Sequence, residues 1–124
     1  MKSKKLLGAS GELAVADYLI QRGYTILERN ITYRGGEVDL IAQCHTVLAF
    51  IEVKTRSTAY FALSSIITPQ KQAALIRAAH RYLATHAASH HTIIRFDVAI
   101  VEGSQPDWKI TYYPNAFTDE NSIR

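Results

Sequence analysis

The sequence predicts an α/β fold, in which helices flank a mixed sheet in the chain order α-β-β-β-α-β. Apolar residues recur at helical spacing over residues 9–22, and Gly23 ends that helix. Three β-rich segments separated by short turns follow, and they predict an antiparallel meander. A second helical segment then separates the third strand from a fourth, which implies a right-handed crossover and parallel pairing of these two strands.

Turn and capping residues set the expected bounds of the elements. Arg34-Gly35-Gly36 signals the first hairpin turn, and Cys44-His45 signals the second. Thr68 suits a helix N-cap and Pro69 the first helical position, so we expect the second helix over residues 69–86, after a loop. We expect the strands at residues 24–31, 37–43, 46–54, 92–101 and, as an edge strand closed by Pro114, 108–113.

Length and composition indicate one cytoplasmic domain. The chain has 124 residues, which we divide into a domain at residues 1–114 and a mobile polar tail at residues 115–124. No apolar run is long enough to cross a membrane, and the amino-terminal residues do not form a secretory signal. The single cysteine, Cys44, excludes a disulfide or a cysteine-based zinc site within one chain. The net charge of +3 is compatible with nucleic-acid binding but does not establish it.

Charged residues interrupt two apolar strands of the predicted meander. Glu52 and Lys54 alternate with apolar neighbours on the third strand, so both point to one face of the sheet. Asp39 lies among apolar residues of the second strand, and counting across the turn brings it close to Glu52. Two carboxylates at that distance repel each other, and a divalent cation removes the penalty. Oxygen ligands suit Mg²⁺ or Mn²⁺, and a neighbouring lysine can orient an attacking water. The alternative is an exposed Glu52–Lys54 ion pair with no ligand.

The sequence resembles the PD-(D/E)XK nuclease superfamily and, more closely, the YraN-like family of uncharacterised bacterial proteins. The segments G-E-V-D-L-I-A and F-I-E-V-K-T-R resemble the superfamily motif. The family resemblance extends over roughly residues 8–102. It is carried by Gly11-Glu12 with Ala14, Gly23-Tyr24, Arg29-Asn30, residues 36–42, residues 50–56, Lys71-Gln72, residues 75–79 and residues 95–98. It implies the restriction-endonuclease-like αβββαβ core and relatedness to Holliday-junction-resolvase-like enzymes.

The resemblance also implies a role for individual residues of this chain. Asp39 and Glu52 are the metal-binding carboxylates, and the backbone carbonyl of Val53 is a further ligand. Lys54 is the catalytic lysine. Glu12 on the first helix matches an acidic residue that lies beside the metal in many members. The alternative for Glu12 is a first-turn glutamate that is stabilised only by the helix dipole.

Further polar residues are candidates for supporting roles. Gln72 matches a supporting catalytic position in the second helix, or else is a solvated first-turn residue. Lys71 at the same helix start, with Arg34 and Arg56, is expected to contact DNA phosphates. Each of these three cations alone is also consistent with a plain exposed side chain. Asp97, within an apolar strand, is expected to be structural and to pair with Arg95, Lys54 or a helix dipole.

These residues predict a Mg²⁺- or Mn²⁺-dependent endonuclease that hydrolyses DNA phosphodiesters. Branched or otherwise structured DNA is the substrate class that the resemblance implies, and such enzymes often act as homodimers. A rival hypothesis is a non-catalytic nucleic-acid-binding module that retains a nuclease core. The intact Asp39, Glu52 and Lys54 set argues against that rival. A hydrolase for another phosphoester or small nucleotide is a third possibility, which a compact closed pocket would favour.

Overall fold

A computed structural model of the protein describes residues 4–56, 63–103 and 106–119. Within them the chain forms three helices and five strands. In order they are α1 (Lys4–Gln21), β1 (Thr25–Tyr33), β2 (Gly36–Cys44), β3 (Val47–Arg56), α2 (Leu63–Ile66), α3 (Pro69–Thr85), β4 (Ile93–Glu102) and β5 (Lys109–Phe117). In this described part, no helix combines the length and the apolar character needed to cross a membrane.

The five strands form one mixed sheet in the order β1-β2-β3-β4-β5. The β1, β2 and β3 strands pair antiparallel, as the meander prediction requires. The β3 and β4 strands pair parallel over their whole length, and β5 adds antiparallel to the far side of β4. The predicted parallel pairing of β3 and β4 is therefore confirmed, and the architecture is consistent with a restriction-endonuclease-like core.

The helices cover opposite faces of the sheet. One core forms beneath α1, where Val15, Ala16 and Leu19 pack against side chains of β2, β3 and β4. The other forms beneath α3, where Leu75 and Ala78 pack against Phe50 and neighbouring residues of the meander. Because side chains alternate along a strand, adjacent residues of β3 enter different cores.

The structure corrects several expected bounds. The α1 helix begins at Lys4, before residue 9, and α2 forms a short helix within the expected loop, of which residues 57–62 lie outside the described part. The β5 strand does not close at Pro114 but continues to Phe117. A proline is tolerated there because β5 is an edge strand and its register against β4 shifts at that point. Residues 115–117, expected in the tail, therefore belong to the sheet.

Two glycines fix the β1–β2 turn against α3. Gly35 has a φ of +85°, which glycine adopts without steric cost, and its carbonyl accepts a hydrogen bond of 2.9 Å from Arg77 Nε. A Cβ at Gly36 would overlap the backbone carbonyl of Ala74. The start of β2 is thus held close to α3. Asp39 lies three residues after Gly36 on the same strand, so this contact also fixes its position.

Candidate functional site

The Asp39 side chain lies where β2 and β3 cease to pair. The register of the two strands ends at Leu40 opposite Ile51, so Asp39 and Glu52 are the next residues outward. Asp39 Oδ2 accepts a hydrogen bond of 2.8 Å from the backbone N–H of Val53. The carboxylate therefore takes the position of a strand carbonyl and is held between the two strands, beside Glu52.

Glu52 is a half-buried carboxyl group next to a second carboxyl group. The pKa of Glu52 is raised to about 8, first by burial and then by the charge of Asp39 and a hydrogen bond with it. The charges of Lys54 and Lys71 oppose the shift but do not cancel it. Without a bound cation, Glu52 is largely protonated at neutral pH, so the protein alone does not neutralise this pair of carboxylates.

Glu12 on α1 is a third carboxylate at the same place. Burial raises the pKa of Glu12, the nearby charge of Asp39 adds to the rise, and a hydrogen bond from Asn30 opposes it. The position of Glu12 depends on a close helix–strand contact, since a Cβ on Gly11 would overlap the side chain of Thr55 on β3. Glu12 thus lies close enough to Asp39 for their charges to interact, beside the carboxylates where the resemblance implies an acidic residue.

Positively charged side chains border the carboxylates on the side of α3. Lys71 lies in the first turn of α3, whose N-cap is Thr68 as predicted, with Thr68 Oγ1 accepting from Lys71 N at 3.3 Å. Burial lowers the pKa of Lys71, as do the charge of Lys54, a hydrogen bond with it and the charge of Arg56. Lys54 and Lys71 therefore lie beside Glu52 and Arg56 lies near Lys71, an arrangement that suits a phosphate group.

The other predicted site residues have less direct positions. The amide of Gln72 donates a hydrogen bond of 3.1 Å to the carbonyl of Ile67, which makes it part of the packing at the start of α3. Arg56 Nη1 donates to the carbonyl of Thr55 at 3.0 Å. Arg34 is exposed in the β1–β2 turn. Neither Gln72 nor Arg34 is among the residues that shift the pKa of Glu12 or of Glu52, so the structure does not bring these two residues into the carboxylate cluster.

The prediction from sequence missed Asn30 as a site residue. Asn30 has a φ of 52° inside β1 and donates a hydrogen bond to Glu12. One signal was present, since asparagine is disfavoured in strands and is among the few residues that tolerate the left-handed region. A polar residue with that tolerance, within a β-rich segment, indicates an irregular strand position.

A metal ion at this site would have few protein ligands. Within residues 4–56, 63–103 and 106–119, no three histidine, cysteine, aspartate or glutamate side chains are arranged to hold one ion. Asp39 interacts with both Glu52 and Glu12, so these three carboxylates and the Val53 carbonyl remain the predicted ligands. Such a set suits a cation that keeps several waters and takes further oxygens from a substrate phosphate.

Asp97 is a second buried carboxylate, and its partners are all within the protein. It is fully buried and accepts hydrogen bonds from Arg95, from Tyr112 Oη at 2.5 Å and from Asn115 N at 2.8 Å. Its structural role and its pairing with Arg95 are as predicted. The two other partners come from β5.

A family model matches most of the described domain, over residues 11–101, and its description is "Uncharacterised protein family UPF0102". This range includes every predicted site residue. The chain belongs to the UPF0102 family. Its relatives include UPF0102 proteins of Treponema pallidum, 39% identical over 95% of this chain and 97% of the relative, and of Trichlorobacter lovleyi, 40% identical over 94% and 93%. A UPF0102 protein of Symbiobacterium thermophilum is 44% identical over 84% of this chain and 87% of its own.

Proposed function

We propose that this UPF0102 protein is a metal-dependent endonuclease of the PD-(D/E)XK type that hydrolyses DNA phosphodiesters. One observation carries the proposal: the paired carboxylates of Asp39 and Glu52 lie beside Lys54 and Lys71, and the protein does not neutralise them. A cluster of this kind, costly to the folded state, is typical of a site that binds something. Carboxylates for a cation next to lysines for a phosphate match the requirements of phosphodiester hydrolysis.

The residues present fit Mg²⁺ or Mn²⁺. Burial and the neighbouring Asp39 raise the pKa of Glu52, and this penalty on two charged carboxylates supports a cation between them. Asp39 and Glu52 would hold the ion together with the carbonyl of Val53, whose N–H already binds Asp39. When bound, such an ion lowers the pKa of a coordinated water and polarises the phosphodiester.

The chain's own residues would bind and orient the substrate. Lys54 and Lys71 interact with each other and with Glu52, and the mutual repulsion of the two lysines is relieved when an anionic group binds between them. Lys54, on the same strand face as Glu52, is placed to orient the attacking water or to stabilise charge developing on the phosphate. Arg56 adds positive charge to this side of the site and so favours binding of the nucleic-acid backbone.

A cleavage assay tests this function. The purified protein is mixed with duplex, single-stranded, flapped and four-way-junction DNA in Mg²⁺, in Mn²⁺ and in EDTA. We expect metal-dependent cleavage that falls at least about 10²–10³-fold in Lys54→Ala, the loss typical when a group stabilising the transition state is removed. Lys109→Ala is the matched control, because Lys109 is an exposed lysine on β5.

The assay also separates the rival functions. Binding of DNA without cleavage in any metal would replace the nuclease by a nucleic-acid-binding module. Hydrolysis of small phosphodiesters with no effect on DNA would assign a different phosphoesterase. Absence of both binding and cleavage would remove nucleic acid from the proposal. Sedimentation with and without DNA tests the proposed homodimer, since cutting both strands of a duplex needs two sites.

A further inference from the structure

A cavity opens between α1 and β1, directly beside the carboxylates. It has a volume of about 200 Å³ and is lined by Glu12, Leu13, Arg29, Asn30 and Leu40. Whole ligands of drug size usually occupy roughly 300–1,000 Å³, so this cavity holds one part of a larger ligand. None of the mechanistic roles proposed above uses it, apart from Glu12 at its edge.

The cavity combines apolar walls with a few polar groups. Leu40 is fully buried at one wall, whereas Leu13 is 57% exposed and is one of the few large apolar side chains left open to solvent. Arg29, Asn30 and Glu12 are the polar residues of the lining, and Asn30 is hydrogen-bonded to Glu12. A flat apolar group with a polar edge, joined to a phosphate, is complementary to this lining, and a nucleotide has those parts.

The sheet register places the cavity next to the proposed scissile phosphate. Arg29 pairs with Leu40 and Ile31 pairs with Val38, so Asn30 lies opposite Asp39. The lysines border the carboxylates on the α3 side, whereas this cavity borders them on the α1 side. A strand whose phosphate lies at the carboxylates would therefore place a neighbouring nucleotide at the cavity.

Asn30 holds an unusual backbone conformation at this position. Its φ of 52° is within a strand, and left-handed non-glycine residues of this kind cluster at ligand-binding sites. The conformation directs the Asn30 amide to Glu12, so one residue connects the cavity to the carboxylates.

We propose that this cavity binds one unpaired nucleotide next to the phosphodiester that is cut. The inference rests on the proposed nuclease function and specifies its substrate. A base stacked within a duplex cannot enter such a cavity unless it is flipped out, and flipping costs free energy. The substrate class is therefore a nucleic acid with unpaired nucleotides at the cut, such as a single strand, a flap or an open junction.

Binding is measured first, in EDTA, so that the result does not depend on catalysis. The full chain is titrated with a ten-nucleotide single strand carrying one 2-aminopurine, with the same strand in a duplex, and with the RNA counterpart. We expect a fluorescence change with the single strand only. Asn30→Gly, which tolerates the same φ, and Leu13→Ala should each raise Kd about fivefold. Comparing the Kd of the DNA strand with that of its RNA counterpart shows whether the cavity prefers a deoxyribonucleotide or a ribonucleotide.

Matched controls exist for both variants. Asn115→Gly replaces another asparagine at a left-handed position, with a φ of 54°, and Ile20→Ala shortens another exposed apolar side chain of α1. Neither residue lines the cavity. Both control variants should bind with the Kd of the unmodified protein, and an equal loss in the controls would overturn the assignment.

An abasic strand separates this inference from the nuclease function. Among strands that each lack one base near the cut, only the strand whose missing base would occupy the cavity should be cleaved more slowly. In Leu13→Ala, the loss of that base should not change the cleavage rate. If duplex and single strand are cut equally and abasic positions have no effect, the cavity proposal fails while the nuclease stands. If the base-dependent binding is seen but no metal supports cleavage, the nuclease fails while the cavity stands.

Discussion

Two carboxylate sites lie on neighbouring strands of this sheet and are treated by the protein in opposite ways. On β4, Asp97 receives hydrogen bonds from Arg95, Tyr112 and the backbone of Asn115. On β2 and β3, Asp39 accepts from the Val53 N–H and interacts with Glu52 and Glu12, while the charges of Lys54 and Lys71 act on Glu52 without cancelling its pKa rise. The protein completes the surroundings of the first site itself, whereas the second site, where we propose a cation, has fewer hydrogen-bond donors from the protein.

The pKa shifts express the same contrast. The hydrogen bonds with Asp97 raise the pKa of Arg95 and so stabilise its charged form. The Tyr112 pKa is also raised, first by burial and then by the Asp97 charge, so this phenol remains a hydrogen-bond donor. At the other site, burial and Asp39 raise the pKa of Glu52 to about 8, which is a penalty on its charged form. We therefore expect the charge of Asp97 to stabilise the fold and the charge of Glu52 to destabilise it, which unfolding experiments can test.

The largest expected effect comes from breaking the completed site. Asp97→Asn leaves the Arg95 guanidinium, whose side chain is 18% exposed, without its charged partner. Removing one partner of a buried ion pair costs about 3–5 kcal/mol, and we expect a loss of that size in urea unfolding. Asp17→Asn on the exposed side of α1 is the control. A loss below about 1 kcal/mol would show that this network does not hold the sheet together.

Removing the charge of Glu52 at the incomplete site should increase the free energy of unfolding, whereas removing the charge of Asp97 should decrease it. Because the Glu52 pKa is about 8 in the folded protein and ordinarily 4.5, the folded state keeps a proton that the unfolded chain releases between these pH values. The free energy of unfolding in EDTA therefore falls as pH rises from 4.5 to 8. Glu52→Gln should remove this contribution, on the order of 2–4 kcal/mol, and be more stable than the unmodified protein at pH 8.

Added metal provides the complement to that experiment. Mg²⁺ or Mn²⁺ at pH 8 should raise the midpoint temperature of thermal unfolding of the unmodified protein, because an ion that binds only the folded state stabilises that state. The Glu52→Gln variant should show little of this rise. If both proteins respond equally, the ion binds elsewhere, and the assignment of Asp39 and Glu52 as its ligands is wrong.

A smaller effect is expected from one donor at the completed site. Tyr112→Phe removes the hydroxyl that donates to Asp97 but keeps the ring, which stacks on Tyr18 with centroids 5.7 Å apart. Hydrogen bonds to charged groups contribute about 1.5–3 kcal/mol, and we expect a loss in that range by chemical unfolding. Tyr113→Phe, one residue along β5, should lose less. Equal losses would mean that the Tyr112 hydroxyl contributes nothing specific.

The smallest net change is expected where α1 approaches the incomplete site. Gly11→Ala would push against Thr55 Oγ1 and cost about 1–3 kcal/mol through overpacking. Thr55→Ala removes that atom, which is buried and has no hydrogen-bond partner among the described residues, and leaves ordinary contacts at 3.6 Å or more. The double variant should therefore recover the loss and gain up to about 1 kcal/mol from alanine's helix propensity. Additive losses in this cycle, measured by urea unfolding, would contradict the contact.

The arrangement of the strands was predictable because it depends on local signals. Period-two alternation and two short turns defined the meander, and the capped helix after Thr68 required a parallel return to β3. The approach of Asp39 to Glu52 followed from counting across one tight hairpin. The same alternation put Arg95 and Asp97 on one face, so their pairing was also accessible from the sequence.

Other features depend on contacts between segments that are distant in the chain. The hydrogen bond of Tyr112 to Asp97 requires the register of β5, which shifts between Phe96 and Val98. Proline in β5 suggested an end to the strand, although an edge position permits it. The closeness of Lys71 to Lys54 depends on how α3 docks on the sheet, and no pattern within either segment reports it.

The connection between β3 and α3 has a consequence for the order in which the site is assembled. Asp39 and Glu52 belong to one hairpin, so they meet through closure of a short loop. Lys71 joins them only after α3 has docked and β4 has returned beside β3, which are contacts between distant parts of the chain. During folding the two acidic groups, with Lys54 on the same hairpin, are therefore brought together before Lys71, and a divalent ion present at that stage would favour the hairpin over the open chain.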